Sequence, residues 1–511
     1  MRYVDFLDKG ASLFPDRHVV HDLERGWTYK EFVELTKRIA SALIGEGLEQ
    51  SSKVATFSPN HPMTYAAQFG ILRAGCIWTP LNARNSLREN IEVVAYLDVE
   101  WIFYHSSFAE DVAAMQEAIP GIRGAICLDD GLDAWIQGHE PLEEFPVTGP
   151  NDFVVMLTTS GTTGRPKGVM LTNTNWSTMV ASYQSLLRFD APPVHLIAAP
   201  LTHAAGAFAG SLLSLGATHV LLPKPDPLVI LQTIDQFRVN TLLLTPTMIY
   251  MLLAHPEIDK YDYSSLRYFI YGAAPISPEK LREAVRVFGP VMAQTYGQTE
   301  ALMVCTYMSP QEHQEALNNP AIERRLWSSG REGPLARVEI MSDDGRILPP
   351  GQPGEIVCRG SLVMTGYYKN PEATAEVSAF GWHHTGDVGM KDESGYVYIL
   401  DRKRDMIISG GFNVFPTEVE QIVMSHPCIQ DCAVVGVPDE KWGEAVKAVV
   451  ELRPNASLQP DELIAFCRER LGGVKTPKTV EIWLELPRSP VGKVLRREVR
   501  ARYWVGHERA I

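Results

Sequence analysis

The feature that most constrains this chain is a segment rich in hydroxyls and glycines that directly follows an apolar run, Phe153 to Leu157. The segment reads Thr158-Thr159-Ser160-Gly161-Thr162-Thr163-Gly164-Arg165-Pro166-Lys167-Gly168. Its glycines let backbone N–H groups approach a ligand closely, and its hydroxyls and ammonium group add further donors. We therefore predict that this segment is a loop that binds a phosphate chain, with a plain surface loop as the alternative. The spacing differs from that of a P-loop, because no Gly-Lys-Ser/Thr closes it.

Short apolar runs alternate with amphipathic helical patterns along much of the chain, which predicts an α/β sheet protein. A capping box at Thr28 and Glu31 precedes an amphipathic helix, and a helix rich in small residues is expected from Tyr65 to Ala74. Short buried strands are predicted at 54–57, 218–222, 241–244 and 268–271. With 511 residues, the chain exceeds what one hydrophobic core usually supports, so two or more domains are expected.

The last third of the chain changes character. Residues from about 337 to 400 are rich in glycine, proline and β-branched side chains, which predicts a smaller β-rich subdomain. Five consecutive charges, Asp401 to Asp405, then favour a solvated turn or an interdomain linker. In the remainder, helices are predicted at 416–425 and 460–471 and strands near 431–437 and 445–452. We predict an N-terminal domain at 1–402 and a small C-terminal α+β domain at 403–511.

Composition narrows the classes of partner and compartment. The formal net charge of −14 argues against a nucleic acid or an anionic membrane surface as partner. The seven cysteines, an odd number with no C-x-x-C pair, are expected to be reduced thiols in a cytoplasmic protein. The first residues carry no long apolar segment, so no signal peptide is expected, and no apolar run is long enough to predict a membrane span.

The segment that begins at Thr158 resembles the phosphate-binding loop of the adenylate-forming superfamily. That superfamily comprises acyl-CoA synthetases, aryl-CoA ligases, luciferases and the adenylation domains of peptide synthetases. Further strings match family motifs in order and spacing over nearly the whole chain: Gly272-Ala273-Ala274-Pro275, Gln294-Thr295-Tyr296-Gly297-Gln298-Thr299-Glu300, Trp382-His383-His384-Thr385-Gly386-Asp387, Ser409-Gly410-Gly411 and Pro487-Arg488-Ser489-Pro490-Val491-Gly492-Lys493. The resemblance implies a large N-terminal domain of α/β sheets with the β-rich subdomain, and a small mobile C-terminal α+β domain joined to it by a hinge.

Members of this superfamily activate a carboxylic acid with ATP, and this chemistry needs positive charge because attack of a carboxylate on the α-phosphate brings two anions together. The resemblance places Glu300 on Mg²⁺, a hard cation that accepts carboxylate oxygen and keeps several waters. It makes Lys493 the adenylation lysine, whose ammonium can bridge the carboxylate and the α-phosphate. His203 is implied to line the acid pocket and to gate the thiol, with a buried core histidine as the alternative. Thr159, in the phosphate loop, completes the implied catalytic set.

The resemblance also assigns contacts to ATP and CoA. The phosphate loop contributes Thr159, Ser160, Gly161, Thr162, Thr163, Gly164 and Lys167. The side that holds adenine and the α-phosphate contributes Gly272, Ala273, Ala274, Gln294, Tyr296 and Thr299. Asp387 binds the ribose hydroxyls, since an acceptor-only carboxylate suits a vicinal diol, and Arg402 reaches the nucleotide. The pantetheine arm of CoA is expected to pass Ser409, Gly410 and Gly411.

The acid pocket is predicted to be wide and apolar. Its small neighbours include Ala204, Ala205 and Ala207, and Gly297 stands where relatives that activate acetate carry a tryptophan. We therefore expect a medium-to-large apolar acid, whether fatty, aryl or alicyclic, and not acetate or propionate. Four further residues fit either the pocket lining or the ordinary core: Phe208, Met248, Leu302 and Met303.

Two positions depart from the family pattern. Arg404 stands where several aryl-acid ligases and luciferases carry a lysine, and Ser409 replaces a lysine often found just before the paired glycines. Hinging needs backbone rotation more than one particular side chain, so it is expected to survive the first change. The second change leaves the CoA contacts open.

We interpret the chain as an AMP-forming acid–CoA ligase that uses ATP, Mg²⁺ and CoA. After adenylate formation, the C-terminal domain is expected to rotate about Arg404, which withdraws Lys493 and brings Gly410 to the site. The main alternative is a stand-alone adenylating enzyme that loads a carrier-protein phosphopantetheine. Because only 18 residues follow Lys493 and no carrier domain is fused, free CoA is favoured. A luciferase and a nucleotide sensor without catalysis are further alternatives, and the oligomeric state, including a homodimer, stays open.

Overall fold

The computed structural model of the protein describes residues 1–141, 144–160, 166–274, 276–488 and 494–505. The chain forms two compact units. The first unit comprises Met1–Val338, Cys358–His383 and Gly395–Val397, and the second comprises Glu339–Val357, His384–Ser394 and Tyr398–Ile511. The predicted mixed α/β class is confirmed. The domain boundary after Arg402 stays a prediction.

Helices and strands alternate along most of the described chain. The α-helices are α1 Asp5–Leu13, α2 Tyr29–Gly45, α3 Pro62–Arg73, α4 Leu87–Tyr96, α5 Ala109–Ala118, α6 Leu132–Gln137, α7 Asn173–Leu186, α8 Ala204–Gly210, α9 Pro227–Gln236, α10 Pro246–Leu253, α11 Pro278–Phe288, α12 Pro310–Asn318, α13 Pro371–Val377, α14 Pro416–Met424, α15 Pro460–Lys475 and α16 Arg496–Ala501. The strands are β1 His18–His21, β2 Gly26–Thr28, β3 Lys53–Phe57, β4 Ile77–Pro80, β5 Val99–Tyr104, β6 Gly124–Cys127, β7 Phe153–Ser160, β8 Pro166–Thr172, β9 Val194–Ile197, β10 Thr218–Leu221, β11 Thr241–Leu244, β12 Tyr268–Tyr271, β13 Met292–Tyr296, β14 Thr306–Met308, β15 Arg331–Glu332, β16 Arg337–Met341, β17 Gly354–Arg359, β18 Gly366–Tyr367, β19 His383–Lys391, β20 Val397–Arg402, β21 Ile407–Ser409, β22 Phe412–Val414, β23 Ile429–Asp439, β24 Gly443–Leu452 and β25 Thr479–Ile482. Short 3₁₀ helices lie at Ser106–Phe108, Leu213–Leu215, Ile258–Lys260, Glu323–Trp327, Ala379–Gly381 and Lys403–Asp405.

The described strands form four sheets. A nine-stranded sheet has the order β15-β14-β13-β12-β11-β9-β10-β1-β2, and a seven-stranded sheet has the order β18-β8-β7-β4-β3-β5-β6. The four-stranded sheet β16-β17-β19-β20 falls in the stretch where the composition predicted β structure. A five-stranded sheet has the order β22-β21-β24-β23, with β25 paired to β24.

Six neighbouring strands of the nine-stranded sheet are parallel to one another: β1, β10, β9, β11, β12 and β13. Strands of such sheets are covered on both faces, so they read as continuous apolar runs. All of β11, Thr241–Leu244, is buried, as this pattern predicts. Because the strands are parallel, their carboxyl ends and the loops that follow them meet at one edge of the sheet.

Local sequence signals explain the first long helices. Thr28 caps α2 by accepting from the backbone N–H of Glu31, and the Glu31 carboxylate accepts from the Thr28 N–H at 2.8 Å. The predicted capping box is therefore confirmed. In α3, a Cβ on Gly70 would lie 2.4 Å from a methyl carbon of Ile39 in α2, so the small side chains of α3 let the two helices pack closely.

The second unit contains its own apolar core. The long antiparallel pair β23 and β24 packs against α14 and α15, and the buried side chains between them include Val419, Val434, Val446 and Leu463. This arrangement matches the helices and strands predicted for the end of the chain.

The charged run at 401–405 is exposed at Arg402, Lys403 and Arg404, as expected for a solvated turn, and the expectation is wrong at Asp401. The pattern favoured solvated side chains, yet the Asp401 side chain is only 1% exposed. Its carboxylate accepts from Arg496 Nη1 and from the backbone N–H of Thr417, each at 2.7 Å. The reason is that an arginine far along the sequence compensates the buried charge, which a local pattern does not show.

All seven cysteines are thiols and none is in a disulfide. In the described residues, no helix combines the length and the apolar character needed to cross a membrane.

Candidate active site

Three predicted site segments of the first unit lie at one edge of the nine-stranded sheet. The parallel strands β9, β12 and β13 end there, and the segments at and after their ends carry His203, Gly272 and Tyr296 respectively. The register fixes their spacing, since Tyr271 at the end of β12 pairs with Gln294 in β13. Ligands of open parallel sheets bind beyond the carboxyl ends of the strands. The fold thus brings the predicted acid-pocket and adenine residues to the edge where a ligand is expected.

The loop after β12 lies tightly against β13. A Cβ on Gly272 would lie 2.6 Å from the carbonyl oxygen of Thr295, so only glycine fits there. Ala273 has a left-handed backbone with φ of 66°, which is uncommon for a residue with a Cβ and is often found at ligand sites. Ala273 is exposed and Ala274 is half-buried. This loop therefore offers an open backbone surface against which a flat ring can lie.

The predicted contacts on β13 and beyond differ in accessibility. Gln294 is buried, with its amide oxygen 3.3 Å from the hydroxyl of Tyr271, which lies 2.8 Å from His313 Nε2. Burial lowers the pKa of His313 to about 4, so that imidazole stays neutral. Tyr296 and Thr299 are half-buried. Gln294 is thus held in an internal network, whereas Tyr296 and Thr299 are accessible to a ligand.

A tight turn follows β13. A Cβ on Gly297 would lie 2.6 Å from the backbone of Met303, whose φ is 62°. The Thr295 hydroxyl donates to the Met303 carbonyl oxygen at 2.7 Å and holds this turn closed. The turn itself therefore requires glycine at position 297, besides any effect on the size of the acid pocket.

The carboxylate of Glu300 is held by two hydroxyl groups. Tyr367 donates to Glu300 Oε1 at 2.9 Å, and Thr159 donates to the same oxygen at 3.3 Å. The backbone N–H of Met364 also donates to the Glu300 carbonyl oxygen at 2.8 Å. The candidate metal ligand is thus tied to β7, which leads into the predicted phosphate loop, and to the segment that contains β18.

The described base of the phosphate loop is a β-hairpin. In the antiparallel pair β7 and β8, Thr159 pairs with Lys167. The Lys167 ammonium lies 4.7 Å from the centre of the Tyr367 ring. The structure therefore brings together three predicted residues, Thr159, Lys167 and Glu300.

Sequence reasoning missed Tyr367. The signal that was available is the string Gly366-Tyr367-Tyr368, which follows the apolar residues Leu362-Val363-Met364. That string predicts a short strand, but nothing in it points to a partner 67 residues away.

The Glu300 carboxylate fits a magnesium ion. It is half-buried, and both side-chain hydrogen bonds that the described residues give it reach Oε1. Mg²⁺ beside nucleotide phosphates needs only one or two carboxylates and keeps several waters. Among the described residues, no group of three or more His, Cys, Asp and Glu could hold a metal ion. An ion at Glu300 would take its remaining ligands from phosphate oxygens and water.

His203 stands at the start of α8 and is open to solvent. Its Nδ1 lies 2.8 Å from the Thr202 hydroxyl. Although solvent reaches the side chain, the surrounding protein lowers the pKa of His203 by desolvation, and the charge of Arg84 lowers it further. The imidazole is therefore neutral at neutral pH. Arg84 is another neighbour of the site that sequence reasoning did not identify.

The predicted acid-pocket residues divide by burial. Ala205, Ala207, Phe208 and Leu302 are buried, and Ala204, Met248 and Met303 are half-buried. A Cβ on Gly206 would lie only 1.8 Å from the carbonyl oxygen of Leu201, so α8 lies directly against the loop that precedes it. The helix that begins directly after His203 is accordingly made of small and apolar residues.

In the second unit, the two predicted ribose and nucleotide residues form an ion pair. Arg402 Nε lies 2.8 Å from Asp387 Oδ1, with the arginine half exposed and the carboxylate nearly buried. The backbone N–H of Asp387 donates to the Thr385 hydroxyl at 3.1 Å, and that hydroxyl donates to the Ile356 carbonyl oxygen at 2.6 Å. Asp387 is thus fixed in place, with the charge of Arg402 beside it.

The predicted CoA segment forms a two-residue hairpin between β21 and β22. Gly410 and Gly411 both have positive φ, 60° and 81°, which this tight turn requires. A Cβ on Gly410 would lie 2.6 Å from the ring of Trp442, and the Gly410 N–H donates to the Trp442 carbonyl oxygen at 2.8 Å. Ser409 is buried at the end of β21. Trp442, which the sequence analysis did not identify, is the aromatic neighbour of this hairpin.

Some predicted site residues cannot be placed. Gly161, Thr162, Thr163, Gly164 and Lys493 lie outside the described residues. Ser160 is described only as the last backbone position of β7.

Comparisons with known proteins show the family and the fold. A family model described as AMP-binding enzyme matches residues 7–368, and a second, described as AMP-binding enzyme C-terminal domain, matches residues 418–493. The chain is similar to the medium/long-chain-fatty-acid–CoA ligase FadD8 of Mycobacterium tuberculosis, with 42% identity over 388 residues, which span 74% of this chain and 66% of that protein.

Two further similarities extend over nearly the whole chain. The chain is 37% identical to the feruloyl-CoA synthase of an Amycolatopsis species over 497 residues, which cover 96% of this chain and 97% of that protein. Among solved structures, it is similar to the amide bond synthetase McbA from Marinactinospora thermotolerans, with a TM-score of 0.88 and 30% identity over 98% of this chain and 100% of that chain. The overall fold therefore matches an experimentally determined one.

Proposed function

This chain belongs to the AMP-binding enzyme family, and from that membership we propose that it is an AMP-forming acid–CoA ligase. The acid is medium-to-large and apolar. ATP activates it as an acyl-adenylate with release of pyrophosphate, and the thiol of CoA then displaces AMP. Two of the similar proteins, a feruloyl-CoA synthase and a fatty-acid–CoA ligase, are named for acids with large apolar parts.

One contact carries the proposal: the Thr159 hydroxyl lies 3.3 Å from Glu300 Oε1. It joins the base of a glycine-rich phosphate loop to the one acidic side chain of the predicted nucleotide site in this unit. A sensor that only bound nucleotide would not need a carboxylate at this position. A ligase does, because the carboxylate would hold a Mg²⁺ ion whose charge offsets that of the departing pyrophosphate.

In the first half-reaction, a carboxylate oxygen of the acid attacks the α-phosphorus of ATP, and the bond from that phosphorus to the bridging oxygen breaks as pyrophosphate leaves. Thr299 and Lys167 donate to the phosphate oxygens. A Mg²⁺ ion held by Glu300 would supply further positive charge to the phosphates. Lys493 is proposed to bridge the reacting carboxylate and the α-phosphate, where negative charge accumulates.

In the second half-reaction, the CoA sulfur attacks the acyl carbonyl carbon, and the bond from that carbon to the phosphate oxygen breaks as AMP leaves. His203 stands at the sheet edge with a lowered pKa. A neutral imidazole can accept the thiol proton at neutral pH, whereas a protonated one cannot.

The two half-reactions need different residues. We propose that a movement of the C-terminal part of the chain replaces the residues of the first half-reaction by those of the second. Rotation about Arg404 would withdraw Lys493 and bring the Gly410 hairpin to the acyl-adenylate. The positive φ angles of Gly410 and Gly411 favour glycine at both positions, so the two residues at the tip of the hairpin carry no side chain of their own. Such a tip suits the approach of a thin pantetheine arm.

A pyrophosphate-exchange screen tests the proposal. Purified protein is given MgATP, labelled pyrophosphate and one acid at a time, from acetate through medium-chain and long-chain fatty acids to aryl and alicyclic acids. Exchange into ATP is expected for medium-to-large apolar acids and not for acetate or propionate. If no acid supports exchange, the proposed function is wrong.

A second arm of the screen identifies the acceptor. Each active acid is incubated with CoA, with a phosphopantetheinylated carrier protein or with an amine, because the similar McbA is an amide bond synthetase. AMP release that depends on CoA supports the ligase proposal. Release that depends only on the carrier protein favours the alternative, an enzyme that loads a carrier.

Two properties of the whole protein are also proposed. We infer a cytoplasmic location, which is supported by seven cysteines that form no disulfide. We also propose a homodimer. Sedimentation equilibrium over a range of protein concentrations tests it.

A further inference from the structure

Tyr367 occupies a fixed position between two charged side chains of the proposed active site. It ends β18 and pairs with Val169 of β8, two residues from Lys167. The residue is only 6% exposed, and its backbone N–H donates to the Thr374 hydroxyl at 2.9 Å. Sheet pairing and this bond fix the backbone from which the ring projects.

The phenol group of Tyr367 acts as a donor to Glu300. The distance from its hydroxyl to Glu300 Oε1 is 2.9 Å, shorter than the 3.3 Å from the Thr159 hydroxyl to the same oxygen. The stronger of the two bonds to this oxygen therefore comes from the tyrosine.

The ring of Tyr367 also contacts the positive charge of the site. The Lys167 ammonium lies 4.7 Å from the ring centre, within the range of a cation–π interaction. One side chain thus orients a cation through its face and an anion through its hydroxyl.

The segment before Tyr367 fixes the backbone of Glu300 as well. The Met364 N–H donates to the Glu300 carbonyl oxygen at 2.8 Å. The Asn175 amide in α7 donates to the carbonyl oxygens of Val363 at 2.7 Å and Ser361 at 2.9 Å. The tyrosine and the glutamate are therefore held in register by the same stretch of chain, as a preorganised site requires.

We propose that Tyr367 is a positioning residue that orients the Glu300 carboxylate for Mg²⁺ and the Lys167 ammonium for the phosphates of ATP. This inference rests on the proposed function, because Glu300 binds a metal ion only if the chain binds MgATP. Loss of the phenol hydroxyl leaves Oε1 with Thr159 as its described donor. The carboxylate then has more freedom to rotate, and the site is less well organised before the ion arrives.

The test compares Tyr367→Phe with a matched control, Tyr368→Phe. Tyr368 is the next residue, and its hydroxyl donates to Asp98 at 2.6 Å, a residue not assigned to the active site. The first measurement is the Mg²⁺ concentration that gives half-maximal pyrophosphate exchange. Because a hydrogen bond to a charged group is worth more than a neutral one, Tyr367→Phe is expected to raise this concentration roughly 10-fold. Tyr368→Phe is expected to leave it unchanged.

The second measurement does not depend on turnover. Binding of Mn²⁺ to the complex of protein and ATP, followed by water-proton relaxation, is expected to weaken by a similar factor in Tyr367→Phe. A purely structural role would instead lower the free energy of unfolding and leave the Mn²⁺ affinity of the folded fraction unchanged. That affinity therefore separates the two roles.

The outcomes also separate this inference from the proposed function. Wild-type protein that exchanges pyrophosphate, together with a Tyr367→Phe variant that has wild-type Mg²⁺ and Mn²⁺ dependence, overturns the positioning role alone. Wild-type protein that neither binds MnATP nor exchanges pyrophosphate overturns both. The proposal is supported if Tyr367→Phe needs more Mg²⁺ and binds Mn²⁺ more weakly, while Tyr368→Phe matches the wild type in both measurements.

Discussion

The Nδ1 atoms of His195 and His219 lie 3.0 Å apart, in register on the adjacent parallel strands β9 and β10. Both residues are fully buried, with Phe208 edge-on to His195 and Tyr65 edge-on to His219. One Nδ1 must donate and the other accept, so the two neutral rings are of opposite tautomer. A proton added to either ring would place an unpaired charge in the core.

This pair predicts a loss of stability in mild acid. Burial lowers the pKa of His219 to about 3 and that of His195 well below its ordinary value, and a charge on His219 lowers the pKa of His195 further. In the folded state the two imidazoles therefore stay neutral, whereas in the unfolded chain they take up protons below the ordinary histidine pKa. The resulting stabilisation is complete above about pH 6.5 and is lost as the pH falls towards the folded pKa values. At pH 5 the loss is expected to be about 2 kcal/mol per histidine.

Denaturant titrations between pH 7.5 and pH 5 check this expectation. His219→Gln removes one of the two groups, so its free energy of unfolding is expected to fall less steeply with pH than that of the wild type. The control is His18→Gln, which removes an exposed histidine and leaves the buried pair in place. Identical slopes for wild type and His219→Gln would contradict the argument.

A buried charge cluster in the second unit predicts a large effect on stability. Arg496 donates from Nε to Glu420 Oε1 and from Nη1 to Asp401 Oδ1, each at 2.7 Å. Replacing Arg496 by Met leaves two nearly buried carboxylates without their cation. We expect a loss of about 3–5 kcal/mol in the free energy of unfolding, the usual cost of breaking a buried pair on one side.

Arg497 is the matched control, because it follows Arg496 on α16 and is exposed. Chemical denaturation of Arg497→Met is expected to resemble that of the wild type within about 0.5 kcal/mol, as for most surface substitutions. The double variant Asp401→Asn with Arg496→Met removes one of the two unpaired charges and is expected to recover part of the stability. No recovery would mean that the arginine acts through packing instead of charge.

The sequence was informative about features that depend on neighbouring residues, and the charge cluster around Arg496 shows where it was not. The Thr28 and Glu31 capping box and the apolar strand at 268–271 were predictable, because each depends on residues within a few positions of one another. The burial of Asp401 was not, since its partner Arg496 lies 95 residues away. A local run of charges is usually solvated, and only tertiary packing reverses that reading.

The candidate site divides in the same way. Glu300 and Thr159 were identified because each lies in a short string of unusual composition, and the structure brings them within 3.3 Å. Tyr367 and Trp442 were missed because a single aromatic residue in an apolar stretch carries no chemical signal of its own. Their roles depend on what they face, which pairing between distant strands and loops decides.

The close approach of β12 and β13 predicts a defect in nucleotide binding for Gly272→Ala. The added Cβ would lie 2.6 Å from the Thr295 carbonyl oxygen, a backbone atom that can move only if the strand moves. Overpacking of this kind costs about 1–3 kcal/mol. We expect lower stability and weaker ATP binding, measured by calorimetry with a non-hydrolysable ATP analogue. Gly473→Ala is the control, since nothing lies within 4 Å of a Cβ there.

We predict that replacing Lys493 slows the first half-reaction and leaves the rate of the second unchanged. An ammonium that bridges the reacting carboxylate and the α-phosphate acts only while the adenylate forms. Lys493→Ala is therefore expected to slow pyrophosphate exchange by roughly 100-fold or more, the effect of removing one group that stabilises transition-state charge. Thioester formation from synthetic acyl-adenylate and CoA is expected to stay near the wild-type rate. Single-turnover assays of each half-reaction give the two rates separately.

The exposed Lys478 supplies the comparison, because it belongs to the same end of the chain and its ammonium donates to the Gly473 carbonyl oxygen. Lys478→Ala changes the net charge of the protein by the same amount as Lys493→Ala, so it controls for long-range electrostatics. Equal losses in both half-reactions for Lys493→Ala would contradict a role confined to adenylation. Equal losses in exchange for both lysine variants would show that overall charge, and not a specific bridge, supports the reaction.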